Sequence, residues 1–110
     1  MIHVTIYKNK RQECMGFRAA GHAGMAESGQ DIVCAAASVL MINTLNAIER
    51  YTDVKTSELS EEESGVIEFR ITGESVHDAD LLLKTMILGL EEMADNDEYC
   101  EYIHVEFEEV

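Results

Sequence analysis

The sequence predicts an α+β fold, a two-layer domain in which two helices pack on a mostly antiparallel sheet in the order ββαββαβ. Three observations carry this expectation. Short stretches with period-two alternation of apolar and polar residues occur in pairs; two long stretches repeat apolar residues every three to four positions; and each pair of alternating stretches precedes one helical stretch, with a last strand closing the order. At 110 residues and 46% apolar content the chain suits one domain, 1–110, whose core requires neither disulfides nor metal.

Ile2, Val4 and Ile6 alternate with His3, Thr5 and Tyr7, the pattern of a half-buried strand. Lys8 to Gln12 is a charged turn, and Glu13 to Ala20 alternates again, Met15, Phe17 and Ala19 against Cys14, Gly16 and Arg18, completing a hairpin. Cys14 is expected as a packing residue of that strand. From Asp31 to about Tyr51 the pattern is helical, with Val33, Ala37, Leu40, Thr44 and Ala47 on one stripe and Cys34, Ser38, Met41 and Leu45 on the next. Its first three turns are apolar nearly all round, so the helix needs cover on more than one side. The sheet supplies one cover and a second copy of the chain another, giving an expected homodimer.

Val54 to Leu59 is a weak strand, and Ser60 to Gly65 a charged turn in which Glu61, Glu62 and Glu63 are expected as a solvated tip. Val66 to Thr72 is a clear strand with Ile67, Phe69 and Ile71 inward. A second helix follows Gly73, where Ser75 and Asp78 are spaced for a capping box and Val76, Ala79, Leu83, Met86, Ile87 and Leu90 form the buried stripe. Glu91, Glu92, Asp95 and Asp97 crowd its C-terminal end, against the dipole, and should fray the last turn. Tyr99 to Glu108 is the final strand, Ile103, Val105 and Phe107 inward and Tyr102 and His104 on the other face.

Twenty-two acidic against eight basic residues give a net charge of −14, which repels nucleic-acid phosphates and anionic membranes and favours basic polypeptides as partners. No direct nucleic-acid or membrane partner is expected. Cys14, Cys34 and Cys100 show no C-x-x-C spacing and cannot all pair; with strand alternation starting at the N-terminus in place of a signal peptide, they read as reduced thiols of a cytoplasmic protein. The longest apolar run, Ile32 to Ile42, is too short to span a bilayer. Zinc binding by the cysteines and histidines lacks ligand spacing, and no cofactor is implied.

The chain is organised around residues 21 to 38. Three of its seven glycines, Gly21, Gly24 and Gly29, fall within nine residues and form a hinge loop, with His22 at its start and Cys34 in the helix that follows. An imidazole beside a thiol is what an activated cysteine nucleophile needs. The helix can start with Ser28 as N-cap and Asp31 in a capping-box position, or with Asp31 as the cap and Cys34 as the third helical residue; free amides and the positive end of the dipole favour a thiolate there. The same residues also fit a plainer account, in which Cys34 is a small buried hydrophobe within Ile32 to Ala37, His22 bonds backbone, and Asp31 only caps. Ser38, one turn after Cys34, hydrogen-bonds either the site or the preceding turn.

The run Gly21-His22-Ala23, a short spacer, then Gly29-Gln30-Asp31-Ile32-Val33-Cys34-Ala35-Ala36-Ala37-Ser38 closely resembles the signature of the ribosomal-processing cysteine protease family, Prp. One departure is Gln30, where relatives often carry a charged residue. The resemblance implies a cysteine endopeptidase that removes the N-terminal extension of a large-subunit ribosomal protein, number twenty-seven of its series. His22 takes the position of the base and Cys34 that of the nucleophile. Asp31 and Ser38 are possible supporting residues, and amides near Cys34 are candidates for an oxyanion hole. The resemblance also implies a peptide that is apolar and aromatic around the scissile bond, with Met25 and core-edge apolar residues along its groove, and a loop that closes over it. The alternative is a non-enzymatic, acidic ribosome-associated binding module, in which Cys34 is dispensable.

Overall fold

A computed structural model of the chain describes residues 1–21, 28–61 and 65–110, with side chains of the first helix described from residue 32 onward. The elements are β1 (Ile2–Lys8), β2 (Cys14–Ala20), α1 (Ser28–Tyr51), β3 (Thr56–Glu61), β4 (Val66–Ile71), α2 (His77–Asp95) and β5 (Ile103–Glu109). The strands form one five-stranded sheet in the order β3-β4-β2-β1-β5. Three of the pairings are antiparallel, and β1 with β5 is parallel, Ile2 opposite Ile103 and Ile6 opposite Phe107. The predicted order and two-layer arrangement are therefore observed, with a mixed sheet.

One face of the sheet supplies Ile2, Val4, Ile6, Phe17, Phe69 and Ile103 to the core, where they meet Val33, Ala37, Met41 and Ile48 of α1 and Leu83, Met86 and Leu90 of α2. Each such side chain contributes about 1.5–3 kcal/mol when taken fully out of water. The Phe17 and Phe69 rings, on the paired strands β2 and β4, lie 6.0 Å apart at the centre of this layer. Thr44, the one buried polar side chain among the described residues, donates its hydroxyl to the Leu40 carbonyl at 2.7 Å, so its burial leaves no hydrogen-bonding group unmatched.

β2 departs from simple alternation. Tyr7 pairs with Gly16 but Lys8 with Cys14, so Met15 is an extra residue on the β2 side of a bulge. The inserted residue reverses the phase: Cys14 and Phe17 both face the core, and Met15 is only partly buried. Gly16 makes the bulge possible. It holds φ at +145°, and a Cβ there would run into the carbonyl oxygen of Phe69, so only glycine lets β2 approach β4 this closely. Asp80 of α2 fastens the bulged end, its Oδ1 accepting from the Cys14 amide at 2.8 Å while Lys84 Nζ holds Oδ2 at 2.8 Å. Partial burial works against this carboxylate, but the lysine and the amide outweigh it and hold its pKa below the ordinary value.

Five further expectations are corrected. β3 runs Thr56–Glu61 instead of Val54 to Leu59, because it is set by register with β4, Thr56 opposite Ile71 and Glu61 opposite Val66. α2 begins after Val76, which adopts an extended conformation as N-cap without any side-chain cap; the Ser75 hydroxyl lies 3.4 Å from the Val76 carbonyl. Its acidic C-terminal end stays helical through Asp95, since the Asn96 amide bonds the Met93 carbonyl at 3.3 Å and the Asn96 side chain accepts from the Glu98 amide at 2.8 Å. Phe107 is on the helix-side face but is half exposed on the outermost strand, under the Lys8 ammonium at 4.9 Å. By length and composition the whole of Ile32–Tyr51, beyond the expected run of Ile32 to Ile42, is long and apolar enough to cross a membrane. In the fold one stripe of it packs into the core and Ile32, Val39 and Ile42 stay exposed.

Removing the Asp80 carboxylate orphans the Cys14 amide. Asp80→Ala is expected to lower stability by about 1–3 kcal/mol, read as a reduced urea midpoint, and Asp80→Asn, which keeps an acceptor oxygen, by less.

Candidate active site

Cys34 is half-buried and stands on the flank of α1 that looks toward the β3–β4 hairpin. Helical spacing puts Ser38, Met41 and Ile42 on the same flank, and these four line one wall of a cleft of about 280 Å³. The opposite wall comes from Ser60 and Glu61 at the end of β3 and from Gly65, Val66 and Ile67 at the start of β4. Ile2, Ala19 and Gly21 complete it from the ends of β1 and β2. Most of this lining is apolar, with Ser38, Ser60 and Glu61 as its polar members.

Gly21 explains how the chain leaves β2 beside this cleft. Its φ is +104°, and a side chain there would collide with the Met1 carbonyl oxygen at the start of β1. The left-handed conformation and the missing Cβ are both required. Gly21 precedes His22 in the chain and shares its cleft with Cys34.

His22, Gly24 and Met25 lie outside the described residues, as does the side chain of Asp31. Gly29, expected in the hinge loop, belongs to α1, as does the Asp31 backbone. Of the two helix starts, the longer one is observed, and Cys34 is the seventh residue of α1 instead of the third. This changes the chemistry expected of its backbone. Amides without an intrahelical acceptor belong to the first turn, so the Cys34 N–H is committed to the helical ladder and is not an oxyanion donor. Ser38 does share the cleft, one turn below the sulfur.

The three thiols occupy different environments. Cys14 is buried, its Sγ donating to the Gly16 carbonyl at 3.6 Å, and burial pushes its pKa up to about 11. Cys100 is exposed after α2, its Sγ 3.8 Å from the Asp97 carbonyl. Cys34 is the one that lines the cleft. Among the described residues no group of three or more His, Cys, Asp or Glu side chains comes together to hold a metal.

The wall from β3 and β4 was not legible in the sequence, where Ser60 and Glu61 read as part of a solvated turn. Glu61 instead ends a strand and borders the cleft; Glu62 and Glu63 lie outside the described residues. No local pattern announces this. It follows from β4 pairing with β2, which brings a distant hairpin alongside α1.

Residues 1–104 match a family model described as cysteine protease Prp. The ribosomal processing cysteine protease Prp of Staphylococcus aureus is 31% identical over 107 residues, covering 97% of this chain and 99% of that protein. The protein of the same name from Bacillus subtilis is 30% identical over 95 residues, 83% of this chain and 85% of its own length. A crystal structure of an essential ribosomal processing protease Prp from S. aureus, in complex with a covalently linked product peptide, matches with a TM-score of 0.85 at 30% identity, over 98% of this chain and 100% of that one.

The thiol environments set an order of reactivity. Brief alkylation of the native protein at pH 8, followed by peptide mass mapping, is expected to label Cys100 and Cys34 and leave Cys14 unmodified until the chain is unfolded. The folded state binds the Cys14 proton more tightly than the unfolded state does. Its contribution to stability is therefore complete below the ordinary thiol value of 9.0 and is lost as pH rises toward about 11, which an alkaline unfolding titration reads.

Proposed function

Because the chain belongs to the cysteine protease Prp family, we propose that it is a thiol endopeptidase with Cys34 as nucleophile and His22 as general base. The observation that carries this assignment is the cleft, which holds the half-buried Cys34 sulfur and Gly21, the residue covalently attached to His22, on neighbouring walls. His22 takes the thiol proton, and the Cys34 sulfur attacks the carbonyl carbon of the scissile peptide. The leaving amine departs with the proton from His22, and water then hydrolyses the thioester to release the acid and restore the thiol. First-turn amides of α1 are the helix donors available to the oxyanion, and Asp31 and Ser38 support the pair from that turn and from the cleft wall.

The substrate is the basic large-subunit ribosomal protein numbered twenty-seven, whose N-terminal extension is removed. Two things support this reading: the relatives are named as ribosomal processing proteases, and a net charge of −14 attracts a basic polypeptide while repelling nucleic acid. Ile2, Met41, Ile42 and Val66 give the cleft an apolar lining suited to an apolar or aromatic side chain next to the scissile bond. The enzyme works in the cytoplasm, where its three free thiols stay reduced. It works as a homodimer, in which a second copy covers the exposed Ile32 and Val39 of α1 and leaves Ile42 to the cleft.

Wild-type protein is expected to cleave a peptide spanning the extension junction, whereas Cys34→Ala and His22→Ala lower kcat/KM by about 10³-fold or more with the thermal midpoint retained. Equal cleavage by all three removes the assignment. Val39→Glu is expected to shift the protein to monomer in sedimentation equilibrium; an unchanged mass removes the dimer face.

A further inference from the structure

The cleft around Cys34 does not end at Ile42. A second hollow of about 210 Å³ continues it between α1 and β3, with Leu45 and Asn46 on the helix side and Glu58 and Leu59 on the strand side. The two hollows share Ile42, Ser60 and Ile67 as common lining. From Cys34 to Leu45 the helix rises about 16 Å, the length of about five extended residues.

β3 is the edge of the sheet on this side. Just beyond its start the Thr72 amide bonds the Lys55 carbonyl at 2.8 Å, which fixes the phase of the β3–β4 ladder. With Ser57 opposite Arg70, Leu59 opposite Glu68 and Glu61 opposite Val66, those three residues turn their backbone groups inward to β4. Thr56, Glu58 and Ser60 accordingly turn theirs outward, where among the described residues the sheet has no further strand. Glu58 and Ser60 pair with Phe69 and Ile67, whose side chains face the helices, so these outward backbone groups lie at the foot of the hollow against α1. The edge is regular over all six residues, without lysine, proline or a bulge; its charged residues are Glu58 and Glu61, which disfavour pairing with an acidic strand and suit a basic peptide.

We propose that the substrate peptide is held as an additional strand on this free edge of β3, its backbone pairing with Thr56, Glu58 and Ser60 and one face of its side chains set against α1. This rests on the protease reading given above and adds to it the mode of recognition. Pairing through main-chain groups holds the peptide whatever its side chains, and the continuous groove delivers its scissile bond to Cys34. Only alternate residues of the peptide turn their amides to β3, so recognition carries a period of two along the substrate.

The test is a scan in which each amide of a fluorescent junction peptide is N-methylated in turn. Binding to the Cys34→Ala protein is followed by anisotropy, so that no cleavage is needed. Alternate positions over about five residues are expected to weaken binding by about threefold to tenfold, with the positions between them nearly unaffected. Glu58→Pro removes one outward donor while sparing the ladder to β4, a substitution an edge strand tolerates. It is expected to raise KM for the peptide about tenfold with the thermal midpoint kept within a few degrees. A scan without period two overturns the proposal, and this holds even if Glu58→Pro fails to fold. If wild-type protein cleaves the peptide while the scan is flat, the protease reading stands and the added strand falls. If the scan alternates but wild-type protein cleaves nothing, the added strand stands and the protease reading falls.

Discussion

The close approach of β2 to β4 at Gly16 is the constraint from which the site follows. These two strands are not neighbours in sequence, and they meet only because no Cβ stands between the β2 backbone and the Phe69 carbonyl. Their pairing sets the Phe17 and Phe69 rings together in the core and carries the β3–β4 hairpin to the flank of α1. Without it, the Cys34 sulfur faces water on that side and the cleft loses one of its two walls. The bulge at Met15 and the Asp80 clasp on Cys14 are local adjustments to the same strand, keeping its core face filled where the alternation slips.

The charge balance shapes the rest of the surface. With eight lysines and arginines against twenty-two carboxylates, several cations are already engaged locally. Lys84 holds Asp80, Arg70 bridges Glu68 at 3.0 Å and covers the Tyr7 ring at 4.0 Å, and Lys8 lies over Phe107. The hydrogen bond to Glu68 is foremost in keeping the Arg70 guanidinium charged. Exposed pairs of this kind contribute little stability each. Their effect is to leave the outer field of the protein strongly negative, which steers cationic chains toward it and polyanions away.

The fold was largely legible because its signals are local. Alternation in Ile2 to Tyr7 and in Val66 to Thr72, and the helical stripes after Asp31 and Gly73, depend only on which face of an element is buried. Features set by long-range pairing were not legible. Nothing near Cys14 announces that Met15 is an inserted residue, nothing in Val54 to Glu61 marks the register imposed by β4, and nothing in Ser60 and Glu61 places them beside a thiol. The site divides in the same way. Cys34 and His22 were picked out by the resemblance of residues 21 to 38, since spacing and composition alone favour a buried structural cysteine. The start of α1 at Ser28 was one of two options that local capping rules cannot separate.

The parallel pairing of β1 with β5 ties the timing of assembly to the length of the chain. Ile2 lines the cleft, its amide donates to the Tyr102 carbonyl at 2.9 Å, and its partner Ile103 comes roughly a hundred residues later. Contacts of such sequence separation form late, because loop-closure entropy is lost before they are gained. On a translating ribosome the Ile2 end of the cleft therefore lacks its supporting neighbour until β5 has emerged.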